Sequence, residues 1–584
     1  MILEPNAGRV ILQLVLWLPL LGAIVVALAG SGGSALPASD EHTTRGGGPL
    51  ARDEGSALLT SGGAHTTPGR GSLVGSADPP LPASDVQTPH GGVPSARAPE
   101  LPHAATALPT TGSASRAWLI ATFFAAVTFV LAAWLLIGFD RSQADQYQFD
   151  VRVAWLPFGS DYRIAVDGLS MPLVALNALL TLSAVAGSWR ITLRQPLYFS
   201  MFLILESAVT GVFTSVDLFL FFLFWELELI PMFLIIGIWG GARRQYAAFK
   251  FILYTVAGSA FMLVGIFLVA FYGPQPLTFG MPEVARFDFA QYGTGIASLG
   301  GVAFILLFLG FAVKVPVFPF HTWLPDAHVE APTAGSVMLA GVLLKMGGYG
   351  LLRLCVTLLP QAAHDWQWLL IILAVVNSIY GALVALSQTD LKKMIANSSI
   401  SHMGYVLLGI ASLTPVGFLG ALLVMVAHGL YSGLLFSMVG LVYDRTHTRE
   451  VGAMSGLAAR MPFVATVFMI AGLASLGLPG LAGFVAEFTT FIGSYGVFPL
   501  ATILCVSTIA ITAGYILWRL GSVFFGPLLD EWGTLGDAIW RERLAVGVLA
   551  AATLLIGVVP NVVADMSAGG VAPIAAAVAR GAQR

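Results

Sequence analysis

Charged residues make up only 10% of this chain and hydrophobic residues 57%, where a soluble domain carries about 25% charged residues. That scarcity excludes a soluble globule over most of the 584 residues. Cysteine is nearly absent. Cys355 and Cys505 lie in apolar runs and cannot supply the four thiolates of an iron–sulfur cluster. There is no Cys-x-x-Cys-His haem motif and no glycine-rich nucleotide loop between a strand and a helix. The sequence therefore predicts no cofactor and no metal held by this chain. The net charge of -3, with basic residues scattered, excludes nucleic-acid binding through a basic face. Lysine is the rarest base, 5 of 28 basic residues, yet Lys314 and Lys345 fall inside apolar runs.

What is present is membrane-spanning helix, since a bilayer crossing needs roughly 20 mostly apolar residues in a row. The apolar runs predict an all-α membrane protein of about fourteen transmembrane helices, from residues 10–29 to 544–565. The short loops of one parity hold Arg190, Arg194, Arg243, Arg244, Lys250, Lys392, Lys393, Arg445, Arg449, Arg460, Arg541 and Arg543. That bias predicts a multi-pass membrane protein with both termini extracytoplasmic. The organisation expected is a first helix at 1–30, a linker at 31–115, helices 2 and 3 with an extracytoplasmic loop at 116–195, a helical repeat at 196–356, a second at 357–525, and a last helix with tail at 526–584. The linker is Gly-, Ser-, Pro-, Ala- and Thr-rich, repeats Leu-Pro-Ala-Ser-Asp at 36–40 and 81–85, and reads as disordered. Small residues at Ala27-Leu28-Ala29 would also suit a cleaved signal peptide, but the apolar run is longer than a usual signal core. Alternation over Gln148 to Arg163 predicts a short hairpin.

An ionisable group at bilayer depth costs at least about 2.5–3.5 kcal/mol on insertion scales, so each needs a partner or a function. Glu226, Lys314, Lys345 and Glu487 lie well inside spans. Two acids and two bases are able to act simply as buried pairs that fix helix register. Their surroundings favour a second reading. Pro316 and Pro319 break the seventh span beside Lys314, and Leu476-Gly477-Leu478-Pro479-Gly480 loosens the twelfth before Glu487. Broken spans five apart predict two inverted five-helix repeats, with an ion route near the midplane. Lysine suits such a route because it gives up its proton when desolvated, whereas arginine does not. Glu226 adjacent to Lys314 would hold the lysine charged, separation would drive the proton to Lys345, and His402 and His428 would bridge onward.

Secondary candidates are Glu206, in the fourth span, and Glu228, which lies about 200° around a regular helix from Glu226 and so faces another partner. Asp217 and Asp390 sit at span ends and read as caps. His321, Asp326 and His328 crowd one loop, but without a His-x-x-x-His spacing or a cysteine they do not read as a metal site.

The run Lys314-Val315-Pro316 through Phe320-His321-Thr322-Trp323-Leu324-Pro325-Asp326-Ala327-His328 to Leu343-Leu344-Lys345 resembles the antiporter-like subunits of proton-pumping NADH-quinone oxidoreductase, respiratory complex I. Asp390-Leu391-Lys392-Lys393-Met394 with Ser401-His402-Met403-Gly404-Tyr405 carries the same resemblance, which extends over 117–565. Glutamate at 487 resembles the subunit M type rather than the L and N types, which carry lysine there, and Phe224-Trp225-Glu226 through Pro231-Met232 resembles the same type and its counterpart in the ferredoxin-driven complex. The resemblance implies a proton channel through Glu226, Lys314, Lys345, His402, His428 and Glu487. It implies subunits L and N as partners, and flavin, iron–sulfur clusters and quinone on other subunits. The linker departs from the family pattern. Alternatives are a subunit of a multi-subunit cation/proton antiporter or of a proton-pumping hydrogenase complex.

Overall fold

A computed structural model describes residues 3–31 and 115–582, so the linker expected at 31–115 lies, but for its two end residues, outside the described residues. Helices α1 (Pro5–Ser31) and α2 (Arg116–Gly138) precede a hairpin of β1 (Gln148–Leu156) and β2 (Ser160–Val166). Then come α3 (Met171–Gly187), α4 (Gln195–Thr214), α5 (Leu218–Leu227), α6 (Leu229–Trp239), α7 (Arg244–Phe271) and the short α8 (Met281–Ala285). The seventh span is α9 (Leu299–Lys314) and α10 (Trp323–Glu330), and the eighth starts with α11 (Thr333–Met338) and α12 (Leu344–Gly350). Helices α13 (Pro360–Asp365), α14 (Gln367–Ser387), α15 (Leu391–Ala411) and α16 (Pro415–Thr446) follow. The twelfth span is α17 (Pro462–Ser475) and α18 (Ala482–Tyr495); α19 (Pro499–Phe524), α20 (Trp540–Val558) and α21 (Asn561–Ala582) close the chain.

Ten helical runs among the described residues are long and apolar enough to cross a membrane. This is a multi-pass membrane protein. The expected fourteen exceeds that ten for local reasons. Both broken spans divide into pieces too short to count, α3 has 17 residues, α15 carries Lys392, Lys393, Asn397 and three serines, and α20 opens on Arg541-Glu542-Arg543. The span expected at 544–565 needs correcting: Pro560 has no N–H to continue α20, and its carbonyl instead accepts the first bonds of α21, at 3.0 Å from Val563 and 2.8 Å from Ala564. The expected tail is this second helix, whose Gly570 packs against Gly168.

The other termini follow their residues. Asp217 caps α5 by accepting from Phe219 and Leu220 N–H, and Asp390 caps α15 through Lys392 and Lys393. Gly159, at φ +87°, turns the hairpin, and Arg163 binds Asp150 at 2.7 Å across it. The 333–356 run and α16 are almost wholly buried, whereas α2 and α19 turn most of their surface outward. Charged side chains on the central pair must therefore be met by protein.

Candidate functional site

The seventh span stops at Lys314 because Pro316 cannot continue it, and Val317 N–H turns back to the Ala312 carbonyl at 2.8 Å. Groups freed by the break find side chains. Asn377 of α14, fully buried, accepts from Phe318 N–H at 2.8 Å and donates to the carbonyls of Pro316 (3.3 Å) and Ile400 (3.0 Å). Trp323 Nε1 donates to the Val313 carbonyl at 2.9 Å. In a medium without water such groups must be satisfied internally.

Lys314 is buried, and its ammonium donates to Glu228 Oε1 between the rings of Trp225 and Phe251, each centred 5.5 Å away. The expected neighbour was Glu226, and this corrects it. The regular-helix estimate does separate the two acids, but it is Glu228, fully buried at the junction of α5 and α6, that turns to the lysine. Glu226 is only partly buried and forms no ion pair within 4 Å among the described residues; its Oε1 has no hydrogen-bond partner there. Breaking a buried pair of this kind costs about 3–5 kcal/mol, although the intact pair adds little net stability.

Lys345 stands in the first turn of α12, between two π-helical turns at Leu339–Leu343 and Leu351–Val356. Such turns mark functional places in helices. Its ammonium donates to the Ala340 carbonyl and meets His428 Nδ1 at 2.6 Å. The rings of His428 and His402 follow, with centroids 5.5 Å apart, and Tyr431 lies edge-on to both. His402 places Nδ1 2.7 Å from the Ser398 carbonyl and Nε2 2.9 Å from the Ser475 carbonyl. A singly protonated ring donates to one of these at a time, so the site offers a ready acceptor when a second proton arrives. Glu487 Oε1 is 3.6 Å from the same Nε2. Ser475 ends α17, so the carbonyl that meets His402 is one released by the second break. Gly477, at φ +75°, is required there: a Cβ would lie 2.6 Å from Glu487 Oε2.

The structure thus joins Lys345, His428, His402 and Glu487 in one contact series and Lys314 with Glu228 in a second group. The helices carrying the two lysines pack closely, since a Cβ on Gly347 would meet Val315 Cγ2 at 2.6 Å. Glu206 stands outside both groups. It is fully buried with neither carboxylate oxygen partnered among the described residues, while its carbonyl accepts from Asn177 at 2.9 Å. Asn377 was missed in the sequence, although a polar residue mid-span in Val375-Val376-Asn377-Ser378 was a signal.

Residues 215–512 match the family described as NADH:quinone oxidoreductase/Mrp antiporter, TM. NADH-quinone oxidoreductase subunit M of Rhodobacter capsulatus is 45% identical over 448 residues, 75% of this chain and 86% of that protein. Respiratory complex I from Thermus thermophilus with bound NADH contains a chain of TM-score 0.72 and 29% identity, covering 79% of this chain and 95% of that one. A chain of the Mrp complex from Dietzia sp. DQ12-45-1b shares the fold at TM-score 0.69 and 20% identity, over 79% of this chain and 94% of that one. This chain belongs to the membrane-subunit family of NADH:quinone oxidoreductases and Mrp antiporters.

Proposed function

We propose that this chain is the subunit M type membrane component of a proton-translocating NADH-quinone oxidoreductase and that it moves protons through its buried Glu, Lys and His residues. The observation that carries the reading is the buried contact series Lys345–His428–His402–Glu487 in a protein interior. In this reading the Lys314–Glu228 pair, with Glu226 beside it, is the controlling element. While it is closed, the carboxylate holds the ammonium charged; when it opens, the charge on Lys314 favours departure of the Lys345 proton to His428 Nδ1. That proton moves by N–H exchange along the two imidazoles to the Glu487 carboxylate. Lysine does this work because its ammonium deprotonates when desolvated beside another cation.

On this reading NADH, flavin, iron–sulfur clusters and quinone belong to other subunits, subunits L and N flank this one, and the bilayer is a bacterial inner membrane with both termini outside the cytoplasm. Helices 4–8 and 9–13, at 196–356 and 357–525, form the two inverted repeats. The test is proton uptake into sealed vesicles by the purified complex carrying Lys345→Ala. Assembly with loss of pumping is expected, and wild-type pumping removes Lys345 from the route. The shared fold of the Mrp chain favours a second reading, a cation/proton antiporter subunit. Co-purification separates the two, because a peripheral arm bearing iron–sulfur clusters excludes the antiporter.

A further inference from the structure

Arg541 opens α20 at the end of the spans that carries the arginine-rich loops, and it takes no part in the route above. Its guanidinium lies among three indoles from three helix ends: the ring centres of Trp118 in α2, Trp189 just past α3 and Trp540 in α20 are 5.6, 5.9 and 5.4 Å from Cζ. No carboxylate lies within 4 Å of it among the described residues, since the acids nearby are taken. Glu542 holds Arg190 at 2.9 Å and Arg445 at 2.5 Å, Asp444 holds Arg190 at 3.3 Å, and Asp537 holds Arg543 at 3.5 Å. Trp189 Nε1 is buried without a hydrogen-bond partner among the described residues, as is the hydroxyl of Thr122, one turn further into α2 than Trp118. Tryptophan and arginine commonly ring a membrane protein at the lipid headgroups, but there their polar tips reach water. Buried donors left without an acceptor beside an unpaired cation call for a different explanation.

The same three helices shape a furrow. Helix α3 is tied to α2 by Trp118 Nε1, which donates to the Val185 carbonyl at 3.1 Å, and to α20 by Ser183, which donates to the Ala545 carbonyl at 2.8 Å. Helices α4, α11 and α16 pack on its other sides. Before its last residue α3 reaches the surface only at Ala175, Leu182 and Ala186, which are seven and four residues apart and so share one face. On the flanks, α2 exposes Leu119 and Phe123, and α20 exposes Leu544 and Val548. A Cβ on Gly547 of α20 would meet nothing within 4 Å. The furrow is apolar along its length and cationic at its mouth.

We propose that this furrow binds one anionic phospholipid of the leaflet at that end. The phosphate accepts from the Arg541 guanidinium and the Trp189 N–H, an ester carbonyl of the glycerol accepts from the Thr122 hydroxyl, and an acyl chain lies along the α3 stripe. Guanidinium matches phosphate in charge and in the geometry of its paired donors. A zwitterionic lipid fits less well, because its second cation would find the neighbouring acids paired and the indole faces already occupied by Arg541. A free phosphate would leave the apolar furrow bare. Basic pockets between spans are a known form of phospholipid site. The inference does not rest on the relay reading.

The test uses the assembled complex in nanodiscs of phosphatidylcholine that contain a trace of either phosphatidylglycerol or phosphatidylcholine with a photoreactive acyl chain, and labelled peptides are read by mass spectrometry. Phosphatidylglycerol is expected to label α2, α3 and α20 in preference to phosphatidylcholine. Arg541→Gln is expected to cut that labelling about fivefold, the scale of one cation beside an anionic membrane lipid, and Arg541→Lys to keep most of it. Ala186→Trp fills the furrow without altering charge and is expected to lower labelling by both lipids. Absent labelling, equal labelling by the two lipids, or a preference that survives Arg541→Gln overturns the proposal. Loss of labelling on adding inorganic phosphate assigns the site to a free anion, and a map with polypeptide in the furrow assigns it to protein; either result also overturns it. If Arg541→Gln fails to assemble, the wild-type preference and Ala186→Trp decide. Pumping is not the readout, so a failed relay and a failed lipid site are told apart.

Discussion

The two broken spans use the same backbone device for different ends. At the first, the groups released around Pro316 are taken by Asn377 and Trp323, which do not titrate, and the ammonium of Lys314 is closed onto Glu228. At the second, the released Ser475 carbonyl faces His402, and a left-handed glycine leaves room for the Glu487 carboxylate beside it. One break is sealed by inert partners around an ion pair, and the other opens onto a titratable row. The contrast teaches that a broken helix supplies polar groups at bilayer depth, while what receives those groups decides whether the place holds charge or passes it.

The contrast is sharpest in the ion pair. Lys314→Ala or Glu228→Gln alone leaves an uncompensated buried partner and is expected to destabilise the subunit by about 3–5 kcal/mol, read as lost thermal stability of the complex. Replacing both, as Lys314→Met with Glu228→Leu, is expected to restore most of the stability but not pumping. Restored pumping would remove the pair from control. Glu226→Gln is expected to cost less stability than Glu228→Gln, and the reverse order would undo the assignment of Glu228 as the lysine's partner.

Next in size is Asn377→Leu, which strands Phe318 N–H and the Pro316 carbonyl at the break. About 1–3 kcal/mol is expected for a stranded buried group, measured by thermal unfolding, with slowed pumping following from a displaced Lys314. If the variant matches wild type in both, Asn377 does not hold the first break. Smallest is Gly477→Ala, where a left-handed residue costs about 1–2 kcal/mol and the added methyl pushes on Glu487. Gly480→Ala is its control: φ is +90° there too, but nothing lies within 4 Å of the added carbon. Pumping is expected to fall in the first and much less in the second, and equal losses would mean that backbone strain alone, not the carboxylate, explains the effect.

Much of this was legible because burial makes charge and proline conspicuous in apolar runs. Lys314, Lys345, Glu226 and Glu487 announced themselves as ionisable residues in spans, and both breaks as proline or glycine clusters. The hairpin followed from alternation, and the caps from Asp217 and Asp390. Pairing was harder to read. The angle between Glu226 and Glu228 assumes a regular helix, and which acid reaches Lys314 depends on how deep each is buried. The π turns around Lys345 carry no proline to mark them, since they arise from packing along the 333–356 run. The end of α20 was obscured because Pro560 sits in a run of residues that are otherwise apolar. In the sequence His328 stands out only as one metal-ligating residue type in a crowded loop, and nothing there shows that it stacks on Phe436 with both ring nitrogens unpartnered among the described residues.

The central claim is that protons travel along the contact series ending at Glu487, and Glu487→Gln tests it most directly because the side chain keeps its shape and loses its charge. In sealed vesicles, with electron transfer and proton uptake recorded together on the assembled complex, fewer protons moved per electron are predicted. An unchanged ratio would contradict the account.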